Sequence, residues 1–224
     1  VLGICMAALL HQRHFLILHA SAAALPGGAA AFLGDKGWGK STMIAALHQR
    51  GHTFITDDNL AIDTRPKVPM VYPAFPQMKL WPSAVTALGR DPQLLPKLVP
   101  QLEKRQHLFD HNVAQRSLPL RALYLLGKGP TLSIEPLPKS TILGNLFLHS
   151  YSGRCGKALL QHGEAAHFLQ CMMLVKTTPV YHLRRPSDLS LLSTIAEAVE
   201  AHFSEAGSTA EMDQAEKMPA PSKG

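Results

Sequence analysis

The chain has 224 residues, 46% of them hydrophobic, and a formal charge of +6. That is enough for one large domain with a sizeable core. Its three cysteines, Cys5, Cys155 and Cys171, have neither CxxC nor metal spacing, and its 12 histidines form no HExxH pattern. These absences argue against a disulfide framework or a zinc site, and they place the chain in a reducing, cytoplasmic compartment.

Val1 to His14 is predicted as a helix, with Leu2, Met6, Leu9 and Leu10 on one face. A secretory signal is not expected there, because the basic residues follow the apolar run instead of preceding it. Phe15 to Leu33 is almost wholly apolar, but Pro26-Gly27-Gly28 breaks it. The reading is two buried strands joined by a turn, with no transmembrane segment. His19 lies on the first strand. It is either a satisfied core histidine or an acid–base group.

The second strand runs into Gly34-Asp35-Lys36-Gly37-Trp38-Gly39-Lys40-Ser41-Thr42, the complete P-loop pattern GxxxxGK[ST]. Its glycines let backbone N–H groups wrap a phosphate chain. Lys40 reaches the β- and γ-phosphates in such loops, and the Ser41 hydroxyl ligates Mg²⁺. A helix is predicted from Ser41 to Arg50, with Ile44 and Leu47 on one face and Gly51 as the stop. Phosphates would then sit at a helix N-terminus, where free N–H groups and the dipole favour anions. The bland alternative is a chance glycine turn, but strand, motif and helix occur together.

Thr53 to Thr56 is a short strand ending in Asp57-Asp58, and Asp57 follows Lys40 by 17 residues. Such a pair divides its labour between holding Mg²⁺ and accepting a proton from an attacking hydroxyl. Adjacent carboxylates also repel, which favours a bound cation or a raised pKa. The alternative is a polar loop start.

Leu60-Ala61-Ile62 and Val68 to Tyr72 are expected as strands near an edge, and Pro82 to Leu88 as a helix. Lys79, beside Trp81, either presents a cation to the nucleotide or acceptor or is plain surface. From Arg65 to Arg121 nine basic residues stand against three acidic ones. That excess is either a docking surface for an acidic or phosphate-bearing partner or a solvated face. No interleaving of aromatic and basic residues points to nucleic acid.

Asp91 to Asn112 is expected to form short helices. Leu120 to Leu126 and Thr131 to Ile134 are expected to form a hairpin around Gly127-Lys128-Gly129-Pro130. Thr141 to His149 and Glu164 to Val175 read as helices, and Val180 to Leu183 as a strand. Leu189 to Phe203 reads as an amphipathic helix with Leu192, Ile195, Ala196 and Val199 on one face. From Glu205 the composition turns polar, and a disordered tail is expected.

His19, the P-loop, Arg50-Gly51-His52, Asp57-Asp58 and Lys79-Leu80-Trp81-Pro82 together resemble the catalytic domain of HPr kinase/phosphorylase. The match looks closer to the shorter HPr-kinase-like serine kinases, including those found with lasso-peptide clusters. The likeness is concentrated between His19 and Pro82. It implies a mixed α/β fold related to phosphoenolpyruvate carboxykinase, with Asp57 as general base, His19 tuning it, and Asp58 at the Mg²⁺. Two features depart from that pattern. Lys36 replaces the usual serine of the loop, and no Pro-Gly-Arg-Asn segment follows. The absence of that segment argues against phosphorylase activity and against HPr as the substrate.

The expectation is therefore an α/β P-loop domain over residues 1–204, with a mixed sheet and flanking helices, and a tail over 205–224. It is expected to be a kinase using ATP and Mg²⁺ to phosphorylate a serine hydroxyl on a small protein or peptide. The catalytic residues would be Asp57, His19 and Lys40, and the metal ligands Ser41 and Asp58. A small-molecule kinase and a non-catalytic ATP-binding module are the alternatives. A homo-oligomer stays open.

Overall fold

The computed structural model describes residues 2–151 and 163–216. Cys155 lies outside them; Cys5 is exposed and Cys171 buried, both as free thiols. The helices are α1 (Leu2–Gln12), α2 (Lys40–Gln49), α3 (Pro82–Ala87), α4 (Lys139–His149), α5 (Glu164–Thr177) and α6 (Leu192–Glu216). The strands are β1 (Leu16–Leu18), β2 (Ala20–Leu25), β3 (Gly28–Leu33), β4 (Thr53–Thr56), β5 (Leu60–Asp63) and β6 (Met70–Tyr72). They continue with β7 (Gln77–Leu80), β8 (Lys97–Val99), β9 (Leu102–Leu108), β10 (Leu118–Lys128), β11 (Ser133–Pro136) and β12 (Val180–Arg185). No described helix is long and apolar enough to cross a membrane.

The main sheet is mixed and mostly antiparallel, with flanking helices. Its strand order is β1-β5-β6-β10-β3-β2-β4, and β12 and β11 branch from β10. Alternate residues of β2 and β3 enter different cores. Ala23, Leu25, Ala30 and Phe32 pack with Met43, Ile44 and Leu47 of α2 and with Ile195, Val199 and Phe203 of α6. Ala20, Ala22, Ala29 and Ala31 pack on the other face with Ile142, Leu146, Cys171 and Leu174 of α4 and α5. A strand covered on both sides has no polar face to show, which is why Phe15 to Leu33 reads as one apolar run.

That run breaks at His19 as well as at the expected turn. Here the chain leaves β5, the partner of β1, and joins β3, the partner of β2. The His19 N–H instead donates to the His149 carbonyl at 2.7 Å.

Helix α2 stops as expected. Gly51 has a left-handed φ of 95°. Its N–H bonds the His48 carbonyl, and the His52 N–H bonds that of Leu47. This pattern satisfies carbonyls that a helix end otherwise leaves open.

Three expectations are corrected. Asp91 to Asn112 does not form short helices beyond one 3₁₀ turn at Pro92–Leu94, capped by Asp91. It forms β8 and β9, a tight hairpin that pairs with β7 in a separate three-stranded sheet. The exposed edge of β7 supplies a ladder that local propensity does not encode.

β10 and β11 are not hairpin partners. β12 lies between them, parallel to β10 and antiparallel to β11. The excursion through α4 and α5 supplies the long crossover that a parallel neighbour needs.

Helix α6 runs to Glu216, past the boundary expected at Glu205. Ala, Glu, Gln and Met dominate that stretch of sequence, and all favour helix. The rest of the expected tail, 217–224, lies outside the described residues.

Candidate active site

The order β10-β3-β2-β4 puts the antiparallel strand β2 between the strand that enters the P-loop and the strand that ends in the two aspartates. That places Ser21 of β2 between the two motifs. Ser21 is fully buried in an otherwise apolar strand. Its odd-numbered position turns it to the α2 face, along with Ala23 and Leu25. There its Oγ donates to Asp57 Oδ1 at 2.6 Å. Ser41 Oγ, in the first turn of α2, donates to the same oxygen at 2.8 Å. The backbone N–H of Lys79 donates to Asp57 Oδ2 at 3.3 Å.

Asp57 is half-buried at its surface but closely ringed by protein. Burial and the neighbouring Asp58 charge push its carboxyl pKa up, against the opposing effect of the Ser21, Ser41 and Lys79 hydrogen bonds.

Asp58 has a φ of 73°. This left-handed backbone is uncommon for a residue with a side chain, and aspartate is one of the few that tolerate it. The turn is held by Thr56 Oγ1, which donates to the Asn59 carbonyl at 2.7 Å, and by the Asn59 N–H on the Asp57 carbonyl. The Asp58 carboxylate meets Lys79 Nζ at 2.7 Å. Burial raises its pKa, but the Lys79 hydrogen bond and charge, with His19 and Lys104, outweigh that and lower it. His19 Nδ1 lies 3.2 Å from the Asp58 carbonyl oxygen. A carbonyl only accepts, so Nδ1 carries the hydrogen in this contact.

Glycine is required where the loop enters α2. Gly39 has a φ of 89°, and a Cβ there would lie 2.2 Å from Arg185 Nη2. Lys40 is buried and donates to the carbonyls of Gly34 at 2.7 Å and Asp35 at 3.2 Å. Asp35, Lys36 and Gly37 form the exposed crest of the loop, and Trp38 packs its edge on the α2-side core.

A cleft of about 350 Å³ opens over this loop. Lys36, Gly37, Gly39, Lys40, Ser41 and Thr42 form one wall. His19, Asp58, Lys79 and Trp81 form the other, and Leu98, Leu102 and Lys104 of the β8–β9 hairpin close the side. Trp81 is 44% exposed at the rim, with Lys104 Nζ 5.5 Å from its ring centroid.

The expected site residues therefore converge, but in different pairs than anticipated. Ser41 is bonded to Asp57, whereas Asp58 is bonded to Lys79. Of the basic residues between Arg65 and Arg121, Lys79 and Lys104 line the cleft. Arg65 is paired with Asp63, and Lys97 and Arg105 with Glu103.

Sequence reasoning missed Ser21, and a lone serine in an alanine strand is the signal that could have found it. It also missed Arg185. Nothing local marks that residue, because only the fold brings β12 beside the loop.

Ser41 and Asp57 are hard oxygen donors of the kind Mg²⁺ prefers. No group of three or more His, Cys, Asp or Glu side chains suited to a metal occurs among the described residues.

No protein-family model matches the chain, and no curated protein matches it. Among solved structures, the chain is similar to an HPr(Ser) kinase/phosphatase from Coxiella burnetii. The alignment covers 90% of this chain and 99% of that one, at 12% identity and a TM-score of 0.48.

Proposed function

We propose that this chain is an Mg-ATP-dependent kinase that phosphorylates a serine hydroxyl on a small protein or precursor peptide. The observation that carries this reading is the meeting of the P-loop and Asp58 in one cleft, with Asp58 beside Lys79 and Asp57 bonded to Ser41 of the loop. A cleft of this size is at the small end for ligand pockets. A triphosphate chain would fill much of it, which leaves room for an acceptor side chain entering past the exposed Trp81.

We divide the aspartates' roles the other way from the resemblance. Asp57 is hydrogen-bonded to Ser41 and does not line the cleft, so the pair Ser41 and Asp57 is assigned to Mg²⁺. A cation there would favour the ionised form that burial opposes. Bound Mg²⁺ would neutralise charge on the phosphoryl oxygens.

Asp58 is assigned as the base. Lys79 keeps it ionised, so it is ready to accept the proton of the serine hydroxyl. The hydroxyl oxygen bonds the γ-phosphorus, the bond from that phosphorus to the bridging oxygen breaks, and ADP departs. Lys40 and the loop N–H groups face the charge that develops on the transferring group. His19, through the Asp58 carbonyl, holds the strained turn that aims the base.

The test is intact-mass spectrometry of serine-containing peptides incubated with Mg-ATP and the wild type, Asp57→Asn or Asp58→Asn. Each transfer adds about 80 Da, the mass of one phosphoryl group. Wild type is expected to add it and Asp58→Asn to add none while still binding ATP. Asp57→Asn is expected to recover part of its activity at high Mg²⁺. Near wild-type transfer by Asp58→Asn would refute the base assignment. ATP binding without transfer to any acceptor would instead favour a nucleotide-binding regulatory module.

A further inference from the structure

We infer that Arg185, at the end of β12, is a positioning residue for the phosphate chain, holding the P-loop from behind and adding positive charge to it. This rests on the P-loop reading above.

The guanidinium lies directly against the loop. Nη2 donates to the Trp38 carbonyl at 2.8 Å, and Nη1 donates to the Pro186 carbonyl at 3.2 Å. The same Nη2 occupies the space that a side chain at residue 39 would need. Gly39 and Arg185 are thus fitted to each other at the residue that opens α2, where the helix N-terminus favours an anion.

Arg185 forms no ion pair among the described residues, and its Nε is buried without a hydrogen-bond partner. Its neighbour Arg184 pairs instead with Glu135 at 2.6 Å. Partly burying a cation without an anion is costly, and folds seldom keep such a group unless something compensates it. Burial alone lowers the Arg185 pKa, with no carboxylate contributing. A phosphate chain bound at Gly37 to Thr42 would bring an anion to the loop that Arg185 touches.

A strut alone would affect stability and leave phosphate affinity intact, whereas a residue that positions the loop for phosphate changes the affinity. Arg185→Met keeps the bulk and removes the charge. Arg185→Lys keeps the charge and loses the planar fork. The probes are Mg-ATP and inorganic tripolyphosphate, which has phosphates and no base. They are titrated calorimetrically into the full chain, with thermal unfolding followed in parallel.

Arg185→Met is expected to weaken both ligands about tenfold, through the loosened loop and the lost positive charge together. Arg185→Lys should recover part of the affinity for both. If Arg185→Met binds both ligands as the wild type does, or if it melts several degrees lower with affinity intact, Arg185 is only a strut and the inference fails. If the wild type binds neither ligand, the P-loop reading itself fails first.

Discussion

Asp57 and Asp58 are adjacent in sequence, yet the fold moves their pKa values in opposite directions. The difference comes from partners. Asp57 meets two hydroxyls and a backbone N–H in a closely packed position, whereas Asp58 meets an ammonium at the cleft. This has a consequence for stability. A carboxyl whose pKa is raised by folding binds its proton more tightly in the native state. Its native state is therefore favoured at acid pH and loses that advantage as pH rises through the raised value. At neutral pH the charged form of Asp57 is a burden, so Asp57→Asn should raise the melting temperature while impairing function. Asp58 has the opposite sign: its contribution is present above the ordinary carboxyl pKa of 3.8 and is lost as pH falls through its lowered value. Asp58→Asn should therefore lower the melting temperature at pH 7. Differential scanning calorimetry of both variants at that pH checks the pair, and equal shifts of the same sign would contradict this electrostatic picture.

At the scale of elements, the small sheet β7-β9-β8 is the part that propensity did not reveal. Leu102 to Leu108 carries Glu, Lys, Arg, Gln and His, and no continuous apolar face announces a strand. Its partner β7 and its contact with α3 decide its form. By contrast, the glycine-rich loop before α2, α2 itself and the β2–β3 turn were legible, because glycine conformation and two-sided burial leave direct marks in sequence. The aspartates were legible as a pair but not in their hydrogen-bond partners, since only the fold brings Ser21 and Lys79 to them.

The small sheet docks on α2 through a ring cluster. Phe109 lies 4.5 Å from the His48 ring and 4.6 Å from that of His107, and 4.4 Å from Phe54. Phe109→Ala should cost about 3–5 kcal/mol, as for other buried phenylalanines, by denaturant unfolding. Burial lowers the pKa of both His48 and His107 and Arg90 adds to the shift, while a hydrogen bond with the His111 backbone opposes it at His48 and Asp110 opposes it at both. Groups of this sign stabilise the fold fully above the free histidine pKa near 6.5, and that stability is lost as pH falls below it. The melting temperature should therefore drop between pH 7.5 and 5.5, and His48→Gln should flatten the slope. A slope unchanged in that variant would show that His48 does not contribute.

At the scale of the whole molecule, one central sheet covered by helices on both faces makes a stiff platform. The P-loop and the aspartate turn leave it at a common edge of the cleft, and the β8–β9 hairpin walls the side. A ligand that binds the native state alone stabilises it, by about 2.7 kcal/mol at a hundred times its dissociation constant. Saturating Mg-ATP should therefore raise the melting temperature of the entire chain and not of one segment.

The most direct measurement is a single-turnover reaction with the protein in excess over γ-labelled Mg-ATP and a serine peptide as acceptor. The wild type should move the label from ATP to the peptide hydroxyl, and Asp58→Asn should keep the label on bound ATP. Label that stays on ATP in the wild type with every hydroxyl acceptor, or that moves equally fast in Asp58→Asn, would contradict this expectation.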